Sequence, residues 1–206
     1  MIEKFINFTD EENKLILKYY TENSKILFLI FKKLIDYTWD KKWFTVTNKE
    51  IELFNSIPIS QKYKLDLPTV IYRGMTLSDE MIEKIISEFK QNKKLTYNPE
   101  KQFSSWSIDK DSARAFSSGD TKLIFMSTLT KEIIYLDINL FYVICQNLLS
   151  YLRHLKFNKK IKLPLEQLRL DKFLDDIDVE SFLYGEQEIL VFNKIEVDKI
   201  FIGKKK

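Results

Sequence analysis

Hydrophobic and polar positions along this chain fall into two textures. Over residues 9–40, apolar side chains at Leu15, Ile16, Tyr19, Ile26, Leu27, Ile30, Phe31, Leu34 and Ile35 recur at the spacing of one helical face. That spacing predicts helix, with Asn23-Ser24 as the point where it divides in two. Thr9 followed by Glu12 predicts a capping box at its start. Asn48 predicts the cap of a short helix over 49–56. Pro58 and Pro68 mark the passage to a different pattern.

From Thr69 onward strand signals dominate. Val70-Ile71-Tyr72 and residues 103–108, 123–129, 132–138, 185–193 and 199–202 read as strands, with 123–129 and 132–138 joined by a tight turn. Helices are interleaved. Ser78 caps one over 79–91, whose apolar face is Met81, Ile82, Ile85, Ile86 and Phe89. Asp109 caps a short one ending at Phe116, and Asn139 caps an apolar one reaching about Leu155. Residues 156–180 are irregular and highly charged. The pattern predicts an α+β fold, with a helical part over 1–66 packed on a strand-rich part over 67–206.

Composition narrows the chemistry. The chain has 206 residues and 45% apolar content, enough for a real core. Charged residues reach 31% with both signs interspersed, and a net charge of +3 does not by itself argue for a nucleic-acid partner. The single cysteine, Cys145, excludes a disulfide framework and a cysteine zinc site, and its apolar setting reads as a buried, inert thiol. His154 is the only histidine; without a nucleophile elbow it does not make a hydrolase triad. The opening residues lack a basic region followed by an apolar one, and the longest apolar run, 26–31, is far too short to span a bilayer. The expectation is a protein acting in the cytoplasm, of its own cell or of a target cell, without a membrane partner.

Three short segments carry polar groups where a strand ordinarily wants apolar ones. They are Val70-Ile71-Tyr72-Arg73-Gly74, Phe103-Ser104-Ser105-Trp106-Ser107 and Tyr184-Gly185-Glu186-Gln187-Glu188-Ile189. A guanidinium grips a phosphate through paired hydrogen bonds, although a lone strand arginine more often meets a surface carboxylate. Ser105 and Ser107 lie two apart and so share a face, with Trp106 turned to the other. Glu186 and Glu188 also share a face, where like charges repel unless a cation or substrate lies between them. Only four glycines occur, and Gly74 and Gly185 sit beside these polar residues. A strand glycine often marks close approach of a ligand or of another backbone. Together these groups are what is needed to hold a dinucleotide and break a glycosidic bond. No GxGxxG or GxxxxGK[ST] stretch is present to hold a pyrophosphate otherwise.

In order and context, the three motifs resemble the R-S-E class of mono-ADP-ribosyltransferases, over about residues 69–202. The resemblance implies two packed, mainly antiparallel sheets preceded by helices, NAD as co-substrate and no metal. It implies that Arg73 binds the NAD phosphates, with Gly74, Trp106 and Ser107 lining the same cofactor site. Ser105 would orient the site, and Glu188 would be the catalytic glutamate. Glu186 would position or deprotonate the acceptor, and glutamate there goes with arginine of a target protein. Phe182 and Tyr184, in the loop before Glu186, would touch that target. Trp106 stands where threonine is commonest in the family.

Two other readings stay open on the sequence. Arg153, Lys156, Lys159, Lys160, Lys162, Arg169 and Lys172 form a basic stretch that would dock RNA or DNA as acceptor, or an acidic protein target, or simply solvate a charged insertion. Alternatively the chain is a non-enzymatic binding module. The N-terminal helices would cover the core, contact a target or receive a neutralising partner protein.

Overall fold

A computed structural model describes residues 8–22, 33, 45–99, 102–117, 121–157 and 188–204. Its helices are α1 (Asp10–Glu22), α2 (Asn48–Asn55), α3 (Pro58–Tyr63), α4 (Asp79–Asn92), α5 (Lys110–Ala115) and α6 (Ile138–Phe157). Its strands are β1 (Thr69–Met75), β2 (Leu95–Tyr97), β3 (Ser104–Ser107), β4 (Thr121–Leu129), β5 (Tyr135–Asp137), β6 (Glu188–Val191), β7 (Ile195–Val197) and β8 (Lys199–Lys204). The chain divides into two compact units, Met1–Lys64 with Asn139–Tyr184, and Leu65–Ile138 with Gly185–Lys206.

Capping chemistry starts the helices of the first unit. Thr9 N–H donates to Glu12 Oε2 at 2.8 Å and Glu12 N–H to Thr9 Oγ1 at 3.2 Å, the reciprocal pair expected there. Lys62 and the Tyr63 hydroxyl also donate to Glu12, and with the Thr9 amide they hold its carboxyl well below the usual range, at a pKa of about 2. The cap of α2 is Thr47 rather than Asn48. Thr47 has Glu50 at the third position and closes its own reciprocal pair, at 3.3 and 2.7 Å. Pro58 opens α3, where its missing N–H costs nothing. Helix α6 joins this unit through the tilted Phe54–Phe141 ring pair at 5.6 Å and a 3.2 Å bond from Phe8 N–H to Asn147 Oδ1. Residues 139–157 therefore group with the N-terminal helices and not with the strand-rich part.

The second unit is a six-stranded sheet in the order β5-β6-β3-β1-β4-β8, with every neighbouring pair antiparallel. A separate antiparallel pair, β2-β7, packs against it. The core lies between them. Ile71, Trp106, Phe125, Ile189 and Val191 of the large sheet meet Ile195 and Val197 of β7 and Ile82 of α4. The Tyr97 ring meets Trp106 and Phe125 edge-on, at 5.9 and 6.0 Å. This is a mixed α+β fold with a mainly antiparallel sheet.

Ser78 caps α4, accepting from Met81 N–H at 3.3 Å, and Lys93, at φ 58°, ends it in the left-handed conformation. Ile82, Ile85, Ile86 and Phe89 face the core, whereas Met81 is 46% exposed and leaves the expected apolar face. The expected hairpin of residues 123–129 and 132–138 does not form. β5 is only three residues long and lies beside β6, on the opposite side of the sheet from β4. Ile138 already belongs to α6.

Candidate active site

Strands β6, β3 and β1 stand side by side and carry Glu188, Ser105 and Arg73. Glu188 lies directly across from Ser107 and diagonally from Ser105, and diagonal neighbours are within reach of longer side chains. The Ser105 hydroxyl donates to Glu188 Oε1, and Arg73 Nη1 donates to the Ser105 carbonyl oxygen. A continuous hydrogen-bonded path, guanidinium to carbonyl and hydroxyl to carboxylate, thus crosses three strands through one serine.

Backbone pairing explains why the arginine can enter. β1 pairs with β4 along its whole length, Thr69 to Met75, but with β3 only at Tyr72↔Ser107. Beyond that pair the ladder between the two strands ends. The Ser105 carbonyl, which a continuing ladder would satisfy with a backbone amide, is satisfied instead by Arg73.

The three side chains do not share one face. Arg73 lies directly across β4 from Phe125 and so takes the inner face, with Trp106. Its Cζ stands 5.1 Å from the centroid of the Tyr97 ring, and its Nε is buried without a partner among the described residues. Ser105, Ser107 and Glu188 point to the other face. Arg73 and Glu188 are linked through Ser105 and not by direct contact. Glu188 is only 4% exposed, and a carboxylate so buried requires hydrogen-bond donors, of which Ser105 is one.

The other residues expected at a cofactor site have structural duties. Ser107 Oγ accepts from Asp109 N–H at 3.0 Å, which turns the chain from β3 into α5. Asp109 then caps α5, accepting from Ser112 Oγ at 2.7 Å and Ser112 N–H at 2.8 Å, and these two donors lower its pKa. Helix α5 lies so close to β1 that a Cβ on residue 74 would stand 1.9 Å from the Ala113 carbonyl oxygen. Glycine is required at 74 by this approach of backbone, so a ligand is not needed to explain it. Asp109→Ala, by removing the cap, is expected to destabilise the fold by about 1 kcal/mol, measured as a shift in the denaturant midpoint at unchanged slope. Trp106 is 2% exposed, packs in the core and donates its indole N–H to Ser104 Oγ at 2.8 Å. Its ring serves the packing of the core.

Tyr97 is a site residue that sequence reasoning missed. It sits on a three-residue strand too short to show a period, and no motif marks it. Phe182, Tyr184, Gly185 and Glu186 lie outside the described residues, as does the basic stretch from 158 to 172. His154 is exposed on α6. Among the described residues no group of three His, Cys, Asp or Glu side chains is placed to hold a metal, and no helix is long and apolar enough to cross a membrane. Chemically, the arrangement offers a positioned carboxylate suited to stabilising developing positive charge, and a guanidinium at a break in the sheet suited to an anion. Comparison with protein-family models, with curated proteins and with solved structures finds no match to this chain.

Proposed function

We propose that this protein is an NAD-dependent mono-ADP-ribosyltransferase. The observation that carries the reading is the path from Arg73 through Ser105 to Glu188, which joins the arginine, serine and glutamate motifs on adjacent strands. Two packed antiparallel sheets support the further reading of an ADP-ribosyltransferase core. In the reaction, the bond between the ribose anomeric carbon and the nicotinamide nitrogen breaks, and nicotinamide leaves with the bonding electrons. Positive charge builds on the ribose, and the Glu188 carboxylate stabilises it. An arginine nitrogen of a target protein then forms the new bond and loses a proton to Glu186. Arg73 binds the pyrophosphate.

The test is transfer of label from adenylate-labelled NAD into a cell lysate, followed by protease or nuclease. Label lost to protease and retained after nuclease supports a protein acceptor. The opposite pattern transfers the proposal to nucleic acid, and no nicotinamide release from folded protein overturns it. Glu186→Gln is expected to leave nicotinamide release within about twofold while lowering transfer to an arginine acceptor by about tenfold or more. Equal loss of both activities would remove the division of labour between the two glutamates.

A further inference from the structure

Arg73 is an unusual resident of an apolar face. Its neighbours there, Phe125 and Trp106, are almost fully buried. Of the five N–H donors of a guanidinium, one meets the Ser105 carbonyl, and the buried Nε has no partner among the described residues. Such a cation needs another source of stabilisation to stay in place. Among the described residues the Tyr97 ring is positioned to give it. The guanidinium carbon lies 5.1 Å from the ring centroid, within the range of cation–π attraction.

The ring is itself held from three sides. Trp106 meets it at 87° and Phe125 at 64°, and β2 fixes its backbone through the Tyr97↔Ile195 pairing with β7. These contacts leave it little freedom to tilt away from Arg73. The small two-stranded sheet thereby acquires a purpose beyond covering the core, because it presents one aromatic face to the arginine.

We propose that Tyr97 is a positioning residue of the site. Its ring holds the Arg73 guanidinium against the Ser105 carbonyl, where the ladder between β1 and β3 has ended, and through Arg73 it sets the Ser105 strand and the carboxylate that Ser105 holds. The effect on turnover rests on the NAD-site reading; the effect on Arg73 does not.

The experiment compares wild type, Tyr97→Phe, Tyr97→Leu and a variant with fluorinated phenylalanine at 97, with two readouts. One is the KM for NAD and kcat of nicotinamide release. The other is the Arg73 Nε–Hε resonance in a ¹⁵N-arginine spectrum, identified by its loss in Arg73→Lys. Tyr97→Phe keeps the ring face and is expected to match wild type in both. Tyr97→Leu is expected to raise KM about tenfold with a much smaller change in kcat, and to shift the Arg73 resonance and speed its exchange with solvent. The fluorinated ring keeps its shape but loses its negative face, and is expected to follow leucine, so the test survives if Tyr97→Leu does not fold. An Arg73 resonance and a KM unmoved by both variants would overturn the proposal. Should wild type release no nicotinamide, the NAD reading fails. The resonance then decides alone: movement with the ring upholds the positioning of Arg73, and constancy refutes it.

Discussion

Glu188→Gln is expected to slow nicotinamide release from NAD by about 10²- to 10³-fold or more, the range seen when one preorganised electrostatic partner of a transition state is removed. Glutamine keeps the size of the side chain and still offers an oxygen to the Ser105 hydroxyl, so the hydrogen-bonded path of the site persists. What disappears is the negative charge. Glu188 is 4% exposed, and removing a charge from so buried a place lowers a desolvation cost. The thermal midpoint reads what the lost charge does to the fold. Nicotinamide release measured beside the thermal midpoint separates the two effects. Equal release rates in two equally folded proteins would end the assignment of Glu188 as the catalytic carboxylate.

The other large effect is structural. Gly74→Ala is expected to cost more than about 3 kcal/mol and to lower the thermal midpoint by about 10 °C or more. The added Cβ would stand 1.9 Å from the Ala113 carbonyl oxygen and 3.0 Å from the Ser117 amide nitrogen. Both are backbone atoms, and no change of side-chain rotamer relieves the overlap. Helix α5 must move away from β1, which frees the Ala113 methyl from its buried position. A protein with normal melting but lost NAD turnover would instead show that glycine serves a ligand at 74.

Features encoded within a few residues were legible in the sequence. The Thr9–Glu12 box, the Ser78 and Asp109 caps and the polar strand motifs depend on neighbours two or three positions apart. Even Asn48 misled by only one residue, because Thr47 also precedes a glutamate at the right distance. Pairing over long separations was not legible. Nothing local says that β5 lies beside β6 and not β4, or that 195–197 and 95–97 form strands with each other. Face was only half legible. Alternation turned Trp106 away from Ser105 correctly, but it could not say that Arg73 would take the tryptophan side. The glycine at 74 was noticed and its cause left open, since a ligand and a passing helix leave the same mark on a strand. Phe182, Tyr184 and Glu186 lie outside the described residues, and their roles remain proposals.

The strand order also governs when the site comes into being as the chain is made. Arg73 and Ser105 emerge from synthesis long before Glu188, and the serine and the glutamate are 83 positions apart. β6 must travel back to pair with β3, and closing a contact of that separation is slow compared with forming the helices. Until it arrives, the serine hydroxyl has no carboxylate to hold. On the proposed reading, the arginine and the serine wait in the sheet for their carboxylate, and the site is complete only once residue 188 has been made and β6 has paired with β3.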